Sequence, residues 1–369
     1  MRIVYFTHSL RSCWNHGNAH FLRGVLSELI ARGHEVEAFE PEGAWSLSNL
    51  LSDHGEQALH AFQHLYPDLR STAYSNDADV SEMVEAADLV IVHEWNDPKL
   101  VAELGLVRRR GGRFMLLFHD THHRAVSAPQ EMRAFDLQDY DGVLAFGEAI
   151  SEIYRSWGWN DRVFTWHEAA DIRRFHPPAE EGSRDGLIWI GNWGDGERSQ
   201  EIVDFLLKPA QDAQLPLDVY GVRYPREAKQ TLAKHGAHYH GWIANAAAPD
   251  AFAQHLATVH VPRRFYTQML PGIPTIRVFE ALACGIPLVS APWSDSEALF
   301  RVGEDFLMVS DGEEMTRALK VLKHDQELRR SLVASGLETI RKRHTCAHRA
   351  EELMKIYAAL RTPAEAVAA

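Results

Sequence analysis

Short apolar runs alternate with amphipathic stretches along most of the chain, the pattern that builds parallel sheets with crossover helices. Ile3 to Thr7 reads as a first strand, and Ala19 to Arg32 as a helix whose apolar positions Phe21, Leu22, Val25, Leu26, Leu29 and Ile30 share one face. Gly33 stops that helix, and Glu35 to Phe39 reads as the next strand, completing a strand–helix–strand unit. Further strands are predicted at Leu89 to His93, Phe114 to His119, Gly142 to Phe146 and Val163 to Trp166.

The polar stretch that follows, with Pro177, Pro178, Glu180, Glu181 and Gly182, reads as a linker. The pattern then restarts with strands at Gly186 to Ile190, Asp218 to Tyr220, Ala237 to Trp242, Ala257 to Val261 and Pro287 to Ser290. Helices are predicted between them at Ser199 to Leu207, Arg277 to Cys284 and Met315 to Leu322, and the helical pattern runs from Gln326 to about Leu360 before an Ala-rich tail expected to fray. The fold class is therefore α/β with two doubly wound domains, residues 1–170 and 186–340, joined by a linker over 171–185 and followed by a C-terminal helix and tail over 341–369. Two such domains facing one another leave a central cleft at the C-terminal ends of their strands, where α/β folds hold ligands.

Length and composition agree with this reading, since 369 residues suit two domains and 46% hydrophobic with 24% charged residues is the globular average. A formal net charge of -13 argues against a nucleic-acid partner, because backbone binding needs a basic footprint. The acidity is uneven: residues 1–170 carry 14 Lys and Arg against 25 Asp and Glu, whereas residues 171–369 carry 24 against 26. An anionic ligand is thus expected on the second half. Three scattered cysteines fit neither a disulfide framework nor a Cys-rich zinc site, and no apolar run approaches the roughly 20 residues of a membrane span. With no secretory leader pattern at Met1 to Phe6, a cytoplasmic protein without an integral membrane segment is expected.

Candidate chemistry gathers where predicted strands end. The loop Thr7 to Asn18 carries His16, Gly17 and Asn18 into a helix N-terminus, whose unpaired N–H groups favour polar or anionic groups. Its spacing is not G-x-G-x-x-G, so a dinucleotide fingerprint is missing; the plainer alternative is a loop whose His and Asn only cap the helix. His93-Glu94 and His119-Asp120 end two further strands and offer hydrogen bonds to sugar hydroxyls or a base. His119, His122 and His123 lack a second ligand motif at suitable spacing, so no metal is expected.

In the second half, Gly191-Asn192-Trp193-Gly194-Asp195-Gly196-Glu197-Arg198 follows a strand and opens a helix, an arrangement suited to a phosphate or else a plain surface turn. Arg277 lies in the first turn of a predicted helix, where an acidic residue would suit the helix dipole better unless an anion binds beside it. Glu280, one turn on, is placed to accept two ribose hydroxyl bonds.

Three motifs carry a family resemblance: Phe279-Glu280-Ala281-Leu282-Ala283-Cys284-Gly285-Ile286-Pro287-Leu288-Val289-Ser290, Gly191-Asn192-Trp193, and Ala31-Arg32-Gly33-His34-Glu35-Val36. Through them the chain resembles the GT-B superfamily of nucleotide-sugar glycosyltransferases, in particular the CgeB-like, spore maturation protein type with a family-4-type C-terminal domain. The resemblance implies two Rossmann-like domains. It puts the nucleotide ribose on Glu280, the diphosphate on Arg198, Arg277, Gly191, Asn192 and the Thr275 turn, and the base against Gly221 and Arg223 or Gly241 and Trp242. It makes His119 the residue that touches the donor sugar.

Two positions depart from the family-4 pattern: Gly272 stands where a second Glu is usual, eight before Glu280, and Val203 stands five after Arg198 where a Lys is usual. The expected activity is metal-independent transfer of a sugar from a nucleoside diphosphate sugar to a hydroxyl acceptor, without a cofactor and with a lean to retention. His119, Asp120, Arg198 and Arg277 are the catalytic candidates, and His16, Gly17, Asn18, His93 and Glu94 those for acceptor or sugar. If the reaction inverts, Asp120, Glu94 or His16 must be the base. The alternatives are a non-catalytic nucleotide-sugar-binding protein and a nucleotide-sugar epimerase on the same fold.

Overall fold

The computed structural model describes residues 1–159, 162–180 and 182–361, and the chain divides into two compact units. The first comprises Met1–Glu168 together with the C-terminal helix Cys346–Arg361; the second comprises Ala169–Thr345. The tail expected to fray and Glu181 of the expected linker lie outside the described residues.

Seven parallel strands form the sheet of the first unit: β1 (Arg2–Phe6), β2 (Glu35–Pro41), β3 (Arg70–Tyr74), β4 (Leu89–His93), β5 (Met115–Asp120), β6 (Gly142–Ala145) and β7 (Val163–Thr165), in the order β3-β2-β1-β4-β5-β6-β7. The central strands β4 and β5 are almost wholly buried, as the continuous apolar runs LVIV and LLF require of a sheet covered on both faces. On helix Ala19–Ala31 the side chains of Phe21, Leu22, Val25, Leu26 and Leu29 are buried. Gly33, at φ 83, ends that helix with Gly33 N–H bonding Ile30 O (2.9 Å) and His34 N–H bonding Leu29 O (3.1 Å). This paired closure needs the left-handed conformation that glycine adopts without a Cβ penalty. The C-terminal helix packs on Ala19–Ala31, and the Trp166 indole N–H donates to Arg349 O (3.0 Å).

The second unit has six parallel strands: β8 (Leu187–Ile190), β9 (Leu217–Tyr220), β10 (His238–Gly241), β11 (Ala257–His260), β12 (Leu288–Ser290) and β13 (Leu307–Met308), ordered β10-β9-β8-β11-β12-β13. Both sheets thus reverse direction of growth beside their first strand, between β1 and β4 and between β8 and β11. That reversal is the topological switch point at which open α/β sheets hold ligands.

Three departures from the expected elements have physical reasons. β3 and β13 were not predicted: β3 is a mostly exposed edge strand without an apolar alternation, and β13 is two residues long. The helix expected at Ser199 to Leu207 continues to Asp212 through a π-turn over Val203–Leu207. Pro209 lies one residue beyond it, after Lys208, and the wider turn before it accommodates a residue that has no N–H to give. Finally, the helical pattern from Gln326 is broken at His344-Thr345, giving helices Gln326–Arg343 and Cys346–Arg361. There the His344 ring bonds Leu299 O (2.8 Å) and Ala170 N–H bonds His344 O (2.9 Å).

Candidate functional site

In the second unit the switch-point loops are Gly191–Arg198 after β8 and Val261–Arg263 after β11. Arg198 binds the turn together, donating to Val261 O (2.8 Å), Asn192 O (3.0 Å) and Asn192 Oδ1 (3.1 Å). Arg263 donates to the same Asn192 Oδ1 (3.0 Å) and pairs with Glu197. Burial and the neighbouring Arg263, with a smaller push from Arg277, lower the Arg198 pKa to about 9. Crowding of like charge at a loop rich in backbone N–H is what an anion relieves.

Glycines permit this packing. A Cβ on Gly221 would lie 2.1 Å from Gly191 O, so the loops after β8 and β9 touch only because Gly221 lacks a side chain. Gly194 and Gly196 adopt φ of 94 and 85 on either side of Asp195 at 51.

Arg277 and Glu280 pair with each other across one turn of helix Ile276–Ala283, with the Glu280 side chain fully buried. Ahead of that helix Thr275 makes no side-chain cap; its hydroxyl instead bonds His260 Nε2 (3.1 Å). Ser290 Oγ donates to Ala291 O (2.8 Å) and so accepts from His260 Nδ1 (2.8 Å). The imidazole is therefore an acceptor at Nε2, receiving the Thr275 proton. Burial, with Arg198 and Arg277 nearby, lowers its pKa to about 3. His260 fixes the entry of the helix that carries Arg277 and Glu280, a role the sequence reading did not assign.

The remaining donor-side candidates ring the same strand ends. Gly221 N–H bonds Gly241 O (2.7 Å), joining the two segments expected against the base, and Trp242 follows Gly241 directly. Arg223, at φ 61, pairs with Asp195 (3.2 Å). Gly272, at φ 88, has the Glu297 carboxylate against it: a Cβ there would lie 2.7 Å from Glu297 Oε1.

In the first unit the switch point gathers a different chemistry. His8 and His16 come from the loop after β1, His93 ends β4, and His119 lies near the end of β5; their rings form a chain with centroids 4.1 Å (His8–His16), 5.7 Å (His8–His93) and 5.5 Å (His93–His119) apart. Asn18 Nδ2 donates to Thr121 O (3.2 Å), tying the loop that also carries Gly17 to the end of β5. Burial holds all four imidazoles neutral, lowering His8 to about 4 and His119 to about 3 and taking His16 and His93 well below the ordinary value. Trp95, largely exposed, lies beside His8 at 6.2 Å and under the Arg124 guanidinium at 4.6 Å.

Glu94 and Asp120 are fully buried neighbours whose pKa values are both raised, chiefly by burial. Arg124 pairs with Glu94 (2.9 Å), while Asp120 accepts from the Tyr154 hydroxyl and from His122 N–H (3.0 Å). Both Asp120 oxygens are thus engaged inside the unit, whereas Glu94 is held through Oε2 and its buried Oε1 has no hydrogen-bond partner. The sequence reading missed His8, Tyr5 and Thr121, all of which contact this cluster; the available signal was a Tyr inside an apolar strand, whose hydroxyl demands a partner. Among the described residues no group of three or more His, Cys, Asp or Glu is arranged to hold a metal, and no helix is long and apolar enough to cross a membrane.

Residues 198–355 match the family described as "Glycosyl transferase-like" (Glyco_trans_1_2). Among solved structures the chain is similar to Anabaena HepE in complex with UDP and glucose, with a TM-score of 0.69 at 13% identity over 97% of this chain and 100% of that one. An alpha-glucosyltransferase in complex with UDP gives the same score, identity and coverage. Sucrose-phosphate synthase from Thermosynechococcus elongatus gives 0.66 at 15% identity over 98% and 99%. No curated protein sequence matches the chain. The fold is GT-B, and the match to the glycosyl transferase-like family falls on residues 198–355, within the second unit and the start of the C-terminal helix.

Proposed function

We propose that the chain transfers a sugar from a nucleoside diphosphate sugar to a hydroxyl acceptor, with a uridine diphosphate sugar as the first donor to test. The carrying observation is the convergence of Arg198, Arg263 and Arg277 on the switch-point loops of the second unit, ahead of the helix that presents Glu280. Structural neighbours held in complex with UDP support the choice of base. In this reading Glu280 exchanges its Arg277 partner for the ribose hydroxyls, and Arg277 turns to the diphosphate. The glycines 191 and 221 leave room for the pyrophosphate and base, beside Asn192, Arg223, Gly241 and Trp242.

As the bond from the anomeric carbon to the diphosphate oxygen breaks, negative charge develops on the leaving phosphate, where Arg198, Arg277 and the N–H groups of the Thr275 turn stabilise it. The acceptor oxygen bonds the anomeric carbon and its proton passes to the leaving phosphate, which is the retaining course. This fits the engagement of both Asp120 oxygens, by Tyr154 and by His122 N–H, which leaves that carboxylate without a free oxygen to serve as a base. The reaction needs no metal on this account, and the neutral cluster of the first unit receives sugar or acceptor. The CgeB-like subtype, the family-4 character of the second unit and a cytoplasmic setting belong to the same proposal.

Titration of UDP, GDP and TDP by calorimetry tests it. One nucleotide is expected to bind, and Glu280→Ala to weaken it by roughly 30-fold or more, since two charge-assisted hydrogen bonds are lost. Failure of all three nucleotides to bind, or unaltered binding by a folded Glu280→Ala, overturns the assignment.

A further inference from the structure

The three cations around the switch point of the second unit meet different partners. The hydrogen bonds of Arg198 run to Val261 O, Asn192 O and Asn192 Oδ1, all uncharged. Arg277 pairs with Glu280, whose side chain is fully buried. Arg263 pairs with Glu197, and here both side chains reach water, at 16% and 26% exposure. The Arg263 guanidinium also bonds Asn192 Oδ1 (3.0 Å) and Gly194 O (3.4 Å), so other acceptors hold it in place when the carboxylate leaves.

The Glu197 backbone is held from both sides: its N–H donates to Gly194 O (2.8 Å), and its carbonyl accepts from Arg264 N–H (3.2 Å). The side chain alone can therefore swing off Arg263 with no movement of the loop, and a carboxylate already in contact with water loses little by doing so. Glu280 has no such way out, since a buried carboxylate gives up Arg277 only where another donor takes its place. Glu197 also offsets the crowding of like charge, because it favours the charged form of Arg198 that Arg263 and Arg277 disfavour.

We propose that Glu197 is an internal counter-ion that holds Arg263 in the empty donor site and yields it to the diphosphate of the donor. The proposal rests on the donor reading above and adds a regulation of that site. Binding exchanges the carboxylate on Arg263 for a phosphate oxygen, and Glu197 turns to water. A diphosphate spreads its charge over Arg198, Arg263 and Arg277 at once and so prevails over one tethered carboxylate, where a single small anion from solution does not. The exchange runs in reverse after transfer. As the nucleoside diphosphate leaves, Glu197 recaptures Arg263 and shortens the time for which the product is held.

Glu197→Gln keeps the shape of the side chain and removes its charge. In calorimetry of the full chain with UDP, GDP and TDP, the nucleotide that binds the wild type is expected to bind this variant about fivefold more tightly, and stopped-flow to show its dissociation slowed by a similar factor. The sign is the test, because a carboxylate that only braced Arg263 for the ligand would weaken binding when removed. A second arm isolates the pair. In an Arg263→Gln background the same Glu197→Gln change is expected to move affinity by less than about twofold, since the cation over which carboxylate and phosphate compete is gone. Equal or weaker binding by a folded Glu197→Gln, or an equal gain with and without Arg263, overturns the counter-ion role and leaves the donor reading standing. Failure of the wild type to bind any of the three nucleotides overturns both.

Discussion

Acid should weaken the first unit far more than the second, and the buried imidazoles set how much. An ordinary histidine in the unfolded chain titrates near 6.5, whereas folded His8 and His119 are held to about 4 and about 3, and His16 and His93 are also lowered well below the ordinary value. As pH falls through about 6.5 the unfolded state takes up protons that the folded state refuses, so stability declines with falling pH, down to about 4 where His8 itself protonates. Between pH 7 and pH 5 each such histidine removes about 1.9 kcal/mol, nearly independent of how far below 5 its folded value lies. Four of them remove about 7.5 kcal/mol, from which the raised carboxyls of Asp120 and Glu94 return a part, because they bind protons more readily when folded. A net loss of about 3–5 kcal/mol is a large share of a domain's usual 5–15 kcal/mol. The second unit has His260 as its one strongly lowered histidine and should lose about 2 kcal/mol. Hydrogen exchange at the two pH values, corrected for intrinsic rates, reads the two units separately through the amides of β4 and β5 against those of β8 and β11. Protection in β4 and β5 that falls by less than about 1 kcal/mol, or that falls less than in β8 and β11, would refute the reasoning.

Gly221→Ala should destabilise the second unit by about 3 kcal/mol or more, because backbone oxygen occupies the place of the new methyl; Gly196→Ala, with open space but φ 85, should cost only about 1 kcal/mol, and thermal scans of both variants compare the two. Asp325→Ala removes the carboxylate that accepts from Leu328 N–H (2.8 Å) at the start of helix Gln326–Arg343, for a loss of about 1 kcal/mol in urea denaturation.

The doubly wound class was legible because strands buried on both faces are written as unbroken apolar runs, as in Leu89–His93, and because Gly33 marks a helix stop that only backbone geometry explains. β3 carries no such signal, since an exposed edge strand needs no apolar face. Within the candidate site, residue types at strand ends were visible, but partnership was not. Arg277 was read as a cation awaiting an anion, yet in the folded chain it pairs with Glu280, the very residue expected on the ribose. The buried rings of His93 and His119 find their partners in Thr121 and Tyr5, the latter 114 positions away from His119. Spacing along a chain records which groups arrive at a sheet edge, and says nothing of which atom of each is used up on arrival.

The helix Cys346–Arg361 closes over Ala19–Ala31, burying Cys346, Ala350 and Leu353, although the whole second unit intervenes in the chain. During synthesis the second unit is complete once Thr345 has emerged, whereas the first waits with the outer side of its opening helix uncovered. A chain cut just before Cys346 should therefore retain a folded second unit and expose apolar surface on the first, making it the target of chaperones and proteases. The unit whose sheet emerges first is the last to be finished.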